Sequence, residues 1–204
     1  MSGSAIPIEK TGLIIVDLTN DFMDPNGAYG RAKAGSPEIA ALPERIKPLL
    51  DVMRRKGGYI ISAQFTLVPA KGGEPIISPH LKELRPFLGK GDFAPGSWGN
   101  SLIDSLGPAD LVVEKVAYSS FYMTRLEWVL RKCGIEKLVI GGIVTNGGVA
   151  STVRDAHVRD FETITLSDGS AAFSVETHET AIAALKPVSR IATIADMIAE
   201  FEAR

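Results

Sequence analysis

LVIGGIVTNGGVASTVRDAHVR, residues 138–159, is the stretch that decides the fold. It opens with the apolar run LVIGGI at 138–143, passes through a glycine-rich turn and continues with helical periodicity. A short run that is apolar at every position suits a strand covered on both faces. Asn146 is a good N-cap residue, so a helix is expected from there to about residue 159. Strand, glycine turn and helix make up most of a parallel βαβ unit, and the same alternation continues outward in both directions.

Upstream strands are expected at 12–17 (GLIIVD), 59–64 (YIISAQ) and 111–115 (LVVEK). Downstream ones are expected at 162–168 (ETITLSD) and 190–194 (RIATI). Helical patterns separate them. Over 42–56, Leu42, Ile46, Leu49, Leu50 and Met53 form one stripe, and Gly57-Gly58 ends it. Residues 124–134 carry Thr124 as a cap, with Glu127 three places on as its capping-box partner. Two more helices are expected over 176–186, stopped by Pro187, and over 195–202. The expected fold is α/β: one domain over 1–204, three layers, and about six mainly parallel strands in a Rossmann-like arrangement with right-handed crossovers. Residues 65–99 are rich in Gly and Pro and too long for a plain connection. They predict a partly helical excursion or a loop over the substrate.

Composition narrows the function. The chain has 204 residues, 45% hydrophobic and 23% charged, which is enough to bury a core without metal or disulfide. Net charge is −2, so no nucleic-acid partner is expected. No apolar run approaches the length of a membrane span, and no membrane partner is expected. The opening MSGSAIPIEK has no apolar core and no basic start, so it does not read as an export signal. A single cysteine excludes a disulfide within the chain. Together these features predict a cytoplasmic protein acting on a small molecule.

In parallel folds, ligands bind beyond the carboxyl ends of the strands. Asp17 and Lys115 both end strands, so both are expected at one crevice. Asp17 follows four apolar residues, and one-sided desolvation raises a carboxyl pKa and suits it to acid–base work. The alternative is an Asp that caps the next turn. Lys115 is either its partner or a snorkelling surface lysine. The turn GGIVTNGG at 141–148 presents backbone N–H groups that can bind an oxyanion or carboxylate, or else is a tight turn that packs helix on sheet. It matches neither phosphate-loop pattern.

Five segments in register resemble the isochorismatase-like hydrolase superfamily, also called the cysteine hydrolases. They are IIVDLTNDF at 14–22, PGSWG at 95–99, the segment 112–146 ending in VTN, STVRDAHVRDF at 151–161 and LSDGSAAFSVETHETAIAAL at 166–185. The resemblance implies a six-stranded parallel sheet, catalytic Asp17 and Lys115, and frequent homo-oligomers (dimer or tetramer). It also implies a cis peptide at Val144–Thr145 that aims backbone N–H groups at an oxyanion. Phe22, Gln64, Trp98, Tyr118, Val144, Thr145, Asn146 and Gly147 fall on the segments that line the substrate site.

The departure from the pattern concerns Gly148, which holds the place of the family's nucleophilic cysteine. Glycine offers no thiolate, so no acyl-enzyme forms there. Cys133 falls on an outer helix pattern and reads as a packing residue. Ser151 and Thr152 are poor substitutes. True isochorismatases also carry glycine there and hydrolyse a vinyl ether without covalent catalysis. On that resemblance Asp17 is the acid, Lys115 orients it or holds a substrate carboxylate, and isochorismate or a related enol ether is the substrate. The turn VTNGG instead resembles the amidase-type branch. The alternatives are therefore an amide or ureide C–N hydrolase that has lost its nucleophile, and a non-catalytic binding protein.

Some amidase-type members hold a metal through Asp-x-His near the second strand. Here that place reads Gln64-Phe65-Thr66, so no metal and no cofactor are expected. His157 and His178 read as surface or capping residues, and His80 lies in the excursion. Arg154 and Asp155 read as a structural pair.

Overall fold

Strand β1 (Thr11–Val16) is buried at every position. Its apolar side chains alternate between the two faces of the sheet. Leu13 and Ile15 join one core cluster, and Ile14 and Val16 join the other. The continuous apolar run is thus the signature of a strand with helices on both sides. The computed structural model describes residues 6–203; the MSGSA opening of the segment read as lacking an export signal lies outside them.

The remaining strands are β2 (Tyr59–Phe65), β3 (Leu111–Lys115), β4 (Lys137–Ile143), β5 (Glu162–Ala171) and β6 (Arg190–Ala192). All pairings are parallel, in the order β3-β2-β1-β4-β5-β6. The order reverses between β1 and β4, so the crevice beyond their carboxyl ends is where a ligand site is expected.

The helices are α1 (Asn20–Met23), α2 (Ala28–Arg31), α3 (Pro37–Ala40), α4 (Leu42–Lys56), α5 (Pro79–Leu84), α6 (Leu126–Lys132), α7 (Ala150–His157), α8 (Val175–Leu185) and α9 (Ile194–Glu202). The α4 stripe packs with Met197 and Phe201 of α9 on one face. Leu126 and Leu130 of α6 and Val153 of α7 pack on the other. A third, aromatic cluster of Tyr29, Leu67, Leu88 and Phe93 lies under the 65–99 excursion, and α5 sits in that excursion.

Three local expectations need correction. Helix α6 starts at Leu126, and Thr124 Oγ1 accepts from its N–H (3.1 Å) and donates to Ser120 O (2.6 Å). Glu127 forms no capping box with Thr124, because it lies in the first turn and bonds Arg159 Nε at 3.0 Å. Asn146 caps no helix: Thr145–Val149 forms one wide turn that runs into α7. The cis peptide lies one bond earlier than expected, at Ile143–Val144. β4 keeps its register with β5 through Ile143, while Val144 O already accepts from Gly147 N and Val149 N, so the chain changes course at that bond.

Gly142 explains how the chain reaches this turn. Its φ is +119°, and a Cβ there would sit 2.1 Å from Val16 O. Gly142→Ala therefore meets both a forbidden backbone conformation and a clash with β1. A loss of about 3 kcal/mol or more is expected in urea unfolding. A Gly142→Ala variant with unchanged stability would show that β1 and β4 are not in this close contact.

Candidate active site

Three strand ends build the site. Asp17 follows β1, its N–H still donates to Ala63 O of β2 (2.9 Å), and its φ of +61° turns the chain there. That left-handed conformation costs on the order of 1 kcal/mol for a non-glycine residue, least for Asp and Asn. Lys115 ends β3, and its Nζ donates to Asp17 Oδ2 at 2.7 Å and to Ala117 O at 3.2 Å. β2 lies between them, and its last residue joins the pair. Phe65 N donates to Asp17 Oδ1 at 2.8 Å, and the Phe65 ring lies 5.6 Å beneath the ammonium. The ion pair is almost wholly enclosed, with side-chain exposures of 1% for Lys115 and 8% for Asp17.

The pair forms the floor of a cavity of about 350 Å3. Phe22, Phe65, Tyr118, Ile143, Val144 and Gly148 line it on the sheet side. Residues of the excursion and its surroundings close it: His80, Leu81, Leu84 and Arg85 from the α5 region, with Tyr29 and Phe173. Arg85 Nε donates to Tyr29 OH at 2.9 Å, and its guanidinium lies 5.4 Å from the Phe173 ring centre. The cavity is an apolar chamber with a carboxylate–ammonium pair at one place and a guanidinium at another. Its donor set does not fit a metal: both Asp17 oxygens already accept bonds, and His80 is the one imidazole on the wall.

Gly148 touches this floor. A Cβ on it would stand 2.8 Å from Ile143 O, 2.9 Å from Val16 Cγ1 and 3.3 Å from Asp17 Oδ2. A side chain there would need the Ile143 carbonyl and the Val16 methyl to give way, although Gly148 itself lines the cavity. The turn has also committed two of its N–H groups, since Gly147 N and Val149 N both donate to Val144 O (2.9 and 3.3 Å).

Comparison with known proteins gives the frame. The isochorismatase domain model matches residues 11–197. The chain belongs to the isochorismatase family. It is accordingly a hydrolase. A ureidoacrylate amidohydrolase of Methylobacterium radiotolerans is 34% identical over 191 residues, covering 88% of this chain and 74% of the relative. One from Yersinia enterocolitica is 32% identical over 177 residues, covering 81% and 77%. Among solved structures, a cysteine hydrolase from Pseudomonas syringae superposes with a TM-score of 0.83 over 100% of this chain and 99% of its own, at 24% identity. At that identity it speaks for the fold.

In this isochorismatase-family chain the other candidates from the sequence are dispersed. Gln64 is buried, but its Nε2 donates to Ser62 Oγ (3.1 Å) and it is absent from the cavity wall. Trp98 is 52% exposed and off the wall; its carbonyl accepts from Asn20 Nδ2. Gly147 lies under Tyr118, whose ring is 3.3 Å from a Cβ placed there. Asn146 lines a separate groove with Arg154 and Glu176. Asp155 pairs with Arg159 at 3.0 Å and not with Arg154. Cys133 is the C-cap of α6. Thr152 Oγ1 donates to Gly148 O (2.7 Å) and accepts from Ser120 N (3.0 Å), which ties the turn from below. Thr145 is wholly buried and bonds His178, which is therefore neither a cap nor a plain surface residue. The sequence reading missed Arg85, Tyr29 and Phe173. The one legible hint was Ser78-Pro79, a helix start that carries α5.

Electrostatics sets the state of Asp17. Burial raises its pKa above the ordinary carboxylate value, and the Lys115 charge and the Phe65 N–H pull against that without cancelling it. The raised value means that the folded state binds this proton more readily than the unfolded chain. Asp17's contribution to stability is therefore greatest in acid and is lost as pH rises from the unfolded carboxyl pKa through the folded one. Lys115→Met removes the lowering partner and strands a buried carboxylate. It should cost about 3–5 kcal/mol at neutral pH, with most of that loss recovered in mild acid, where Asp17 is protonated. Urea melts across pH test this; a loss independent of pH would mean that the pair is not coupled.

Proposed function

We propose that the protein hydrolyses a small anionic enol ether by acid–base chemistry, with no covalent intermediate. The observation that carries this reading is Gly148 itself, which lines the cavity next to Asp17 and brings no side chain, hence no nucleophile, to it. Protonated Asp17 delivers its proton to the methylene carbon of a vinyl ether. The resulting oxocarbenium ion takes up water, whose proton returns to the Asp17 carboxylate. The hemiketal then collapses to an alcohol and a methyl ketone, so one water is consumed and the acid is restored. Two of the Lys115 donors are held by Asp17 and Ala117, and the third is available for a substrate carboxylate. Arg85 supplies the second cation on the cavity wall.

A second reading is hydrolysis of an amide or ureide C–N bond by water, with Asp17 as base. The names of the ureidoacrylate amidohydrolases at 32–34% identity favour it. The products decide between the two: the aryl 1-carboxyvinyl ethers of a substrate panel should release keto acid and its small ureides should release no ammonia, whereas ammonia from the ureides with no keto acid from the ethers would establish the second reading.

Asp17→Asn should lower turnover of the enol ether by about 10²–10⁴-fold, the usual weight of a positioned acid. Unchanged turnover would remove Asp17 from the proton-transfer step. Gly148→Cys should gain no amidase activity and should cost about 1–3 kcal/mol, because its Cβ must displace the Ile143 carbonyl. A stable, amidase-active Gly148→Cys protein would instead make this an amidase pocket.

A further inference from the structure

We infer that His178, on α8 and outside the cavity, is a positioning residue that holds the 143–149 turn in its working shape by accepting a hydrogen bond from Thr145. The inference concerns the site of the proposed reaction, but its geometry does not depend on which bond that site breaks.

Thr145 Oγ1 and His178 Nδ1 are 2.8 Å apart. Thr145 is fully buried, and the imidazole is its sole hydroxyl partner among the described residues. A buried hydroxyl with this one partner satisfies its own hydrogen only by donating, so the tautomer that suits the site has a bare Nδ1 and carries its hydrogen on Nε2. The imidazole thus ties α8 to the turn through Thr145.

That turn is where the cavity floor is made. Ile143 and Val144 precede Thr145 directly, Gly148 follows three residues later, and all three line the cavity. Thr152 holds the turn from below through Gly148 O. His178 holds it from α8. Between the two ties the turn has little freedom to slide, and the Ile143 carbonyl stays against Gly148.

Protonation of His178 makes Nδ1 a donor. The Thr145 hydroxyl must then reverse and find a new acceptor inside a buried turn. Burial works against this by holding the His178 pKa below its ordinary value. The ionisable neighbours are few. Glu179 on the same helix favours the proton, Asp168 of β5 is turned to Ile194 N (2.8 Å), Arg154 and Glu176 line the adjoining groove, and Thr145–Val149 carries no ionisable side chain. Activity should therefore fall on the acid side as His178 gains its proton, while the Asp17 acid accounts for the fall on the alkaline side.

The test combines NMR of the intact protein with kinetics on an aryl 1-carboxyvinyl ether. In 15N-labelled protein, His178 should show a bare Nδ1 and a protonated Nε2 at neutral pH. The Gly147 and Gly148 amide signals should titrate with His178 and should stop following it in Thr145→Val. In kinetics, His178→Ala and Thr145→Val should each lower kcat about tenfold with KM changed less than about twofold, and the double variant should be no worse than either. His178→Asn, which keeps a hydrogen-bonding atom near Nδ1 but cannot titrate, should recover most of the loss and flatten the acid limb. Glycine amides that ignore the titration of His178, losses that multiply, or an acid limb that survives in His178→Asn would each overturn the inference. Should the ether not be turned over, the NMR result decides alone: the proposed reaction then fails while the positioning role stands or falls on the amide titration.

Discussion

Burying an ammonium and a carboxylate together is the constraint around which this molecule is arranged. Each charge loses hydration worth several kcal/mol on entering the protein, and the attraction between them repays this only when their remaining hydrogen-bonding positions are also filled. Here the filling comes from three separate strand ends. Lys115 on β3 and Asp17 after β1 are not on neighbouring strands, so they meet across the end of β2. Phe65 at that end serves both partners, with its N–H on the carboxylate and its ring under the ammonium. Ala117 O takes a second Lys115 proton. The order β3-β2-β1 is therefore a condition for the pair as well as a packing solution, and the left-handed backbone at Asp17 is the local cost of aiming the carboxylate inward.

On the other side of Asp17 the same closeness is achieved by leaving side chains out. Gly142 lets β4 approach Val16 O, and Gly148 lets the turn approach Ile143 O and Val16. These glycines make the floor of the cavity from backbone. A backbone floor is rigid and offers fixed dipoles, but it offers no nucleophile. On the proposed reading, the chemistry of the site is what an enclosed carboxyl group, a lysine and a water molecule can do together. Burial raises the proton affinity of Asp17, and the close approach of β4 and its turn to β1 contributes to that burial.

Much of this was legible in the residues. Continuous apolar runs marked the strands because both faces of the sheet are covered, and a charged residue closing such a run had to be either a defect or a site. Gln64 shows what a closer reading of alternation would have added. It shares a face with Ile60, whereas Phe65 faces the cavity, so period-2 geometry alone sets Gln64 apart from the site. Other parts were not legible, for a physical reason. Arg85 meets Tyr29 across 56 positions and His178 meets Thr145 across 33, and contacts at such separations are fixed by tertiary packing and leave no local pattern. The capping box at Thr124 misled for the opposite reason. The motif is local, but Glu127 had a stronger partner in Arg159, which the fold brings to it.

The two cations of the cavity bear on how an acid can work beside a lysine. The Lys115 charge opposes protonation of Asp17, and burial prevails over it. A substrate carboxylate placed on the free Lys115 donor would share that charge, weakening its hold on the Asp17 proton, and would expel water from an apolar chamber. Both changes move the Asp17 pKa further up. On the proposed reading, the acid then becomes fully armed only when an anion is bound, and a neutral analogue of the same shape would meet a carboxylate still paired with lysine. Selection for an anionic substrate would thus reside in the proton affinity of Asp17 as well as in the contacts of Arg85. A pocket of this shape could discriminate by charge at the chemical step even where binding itself discriminates weakly.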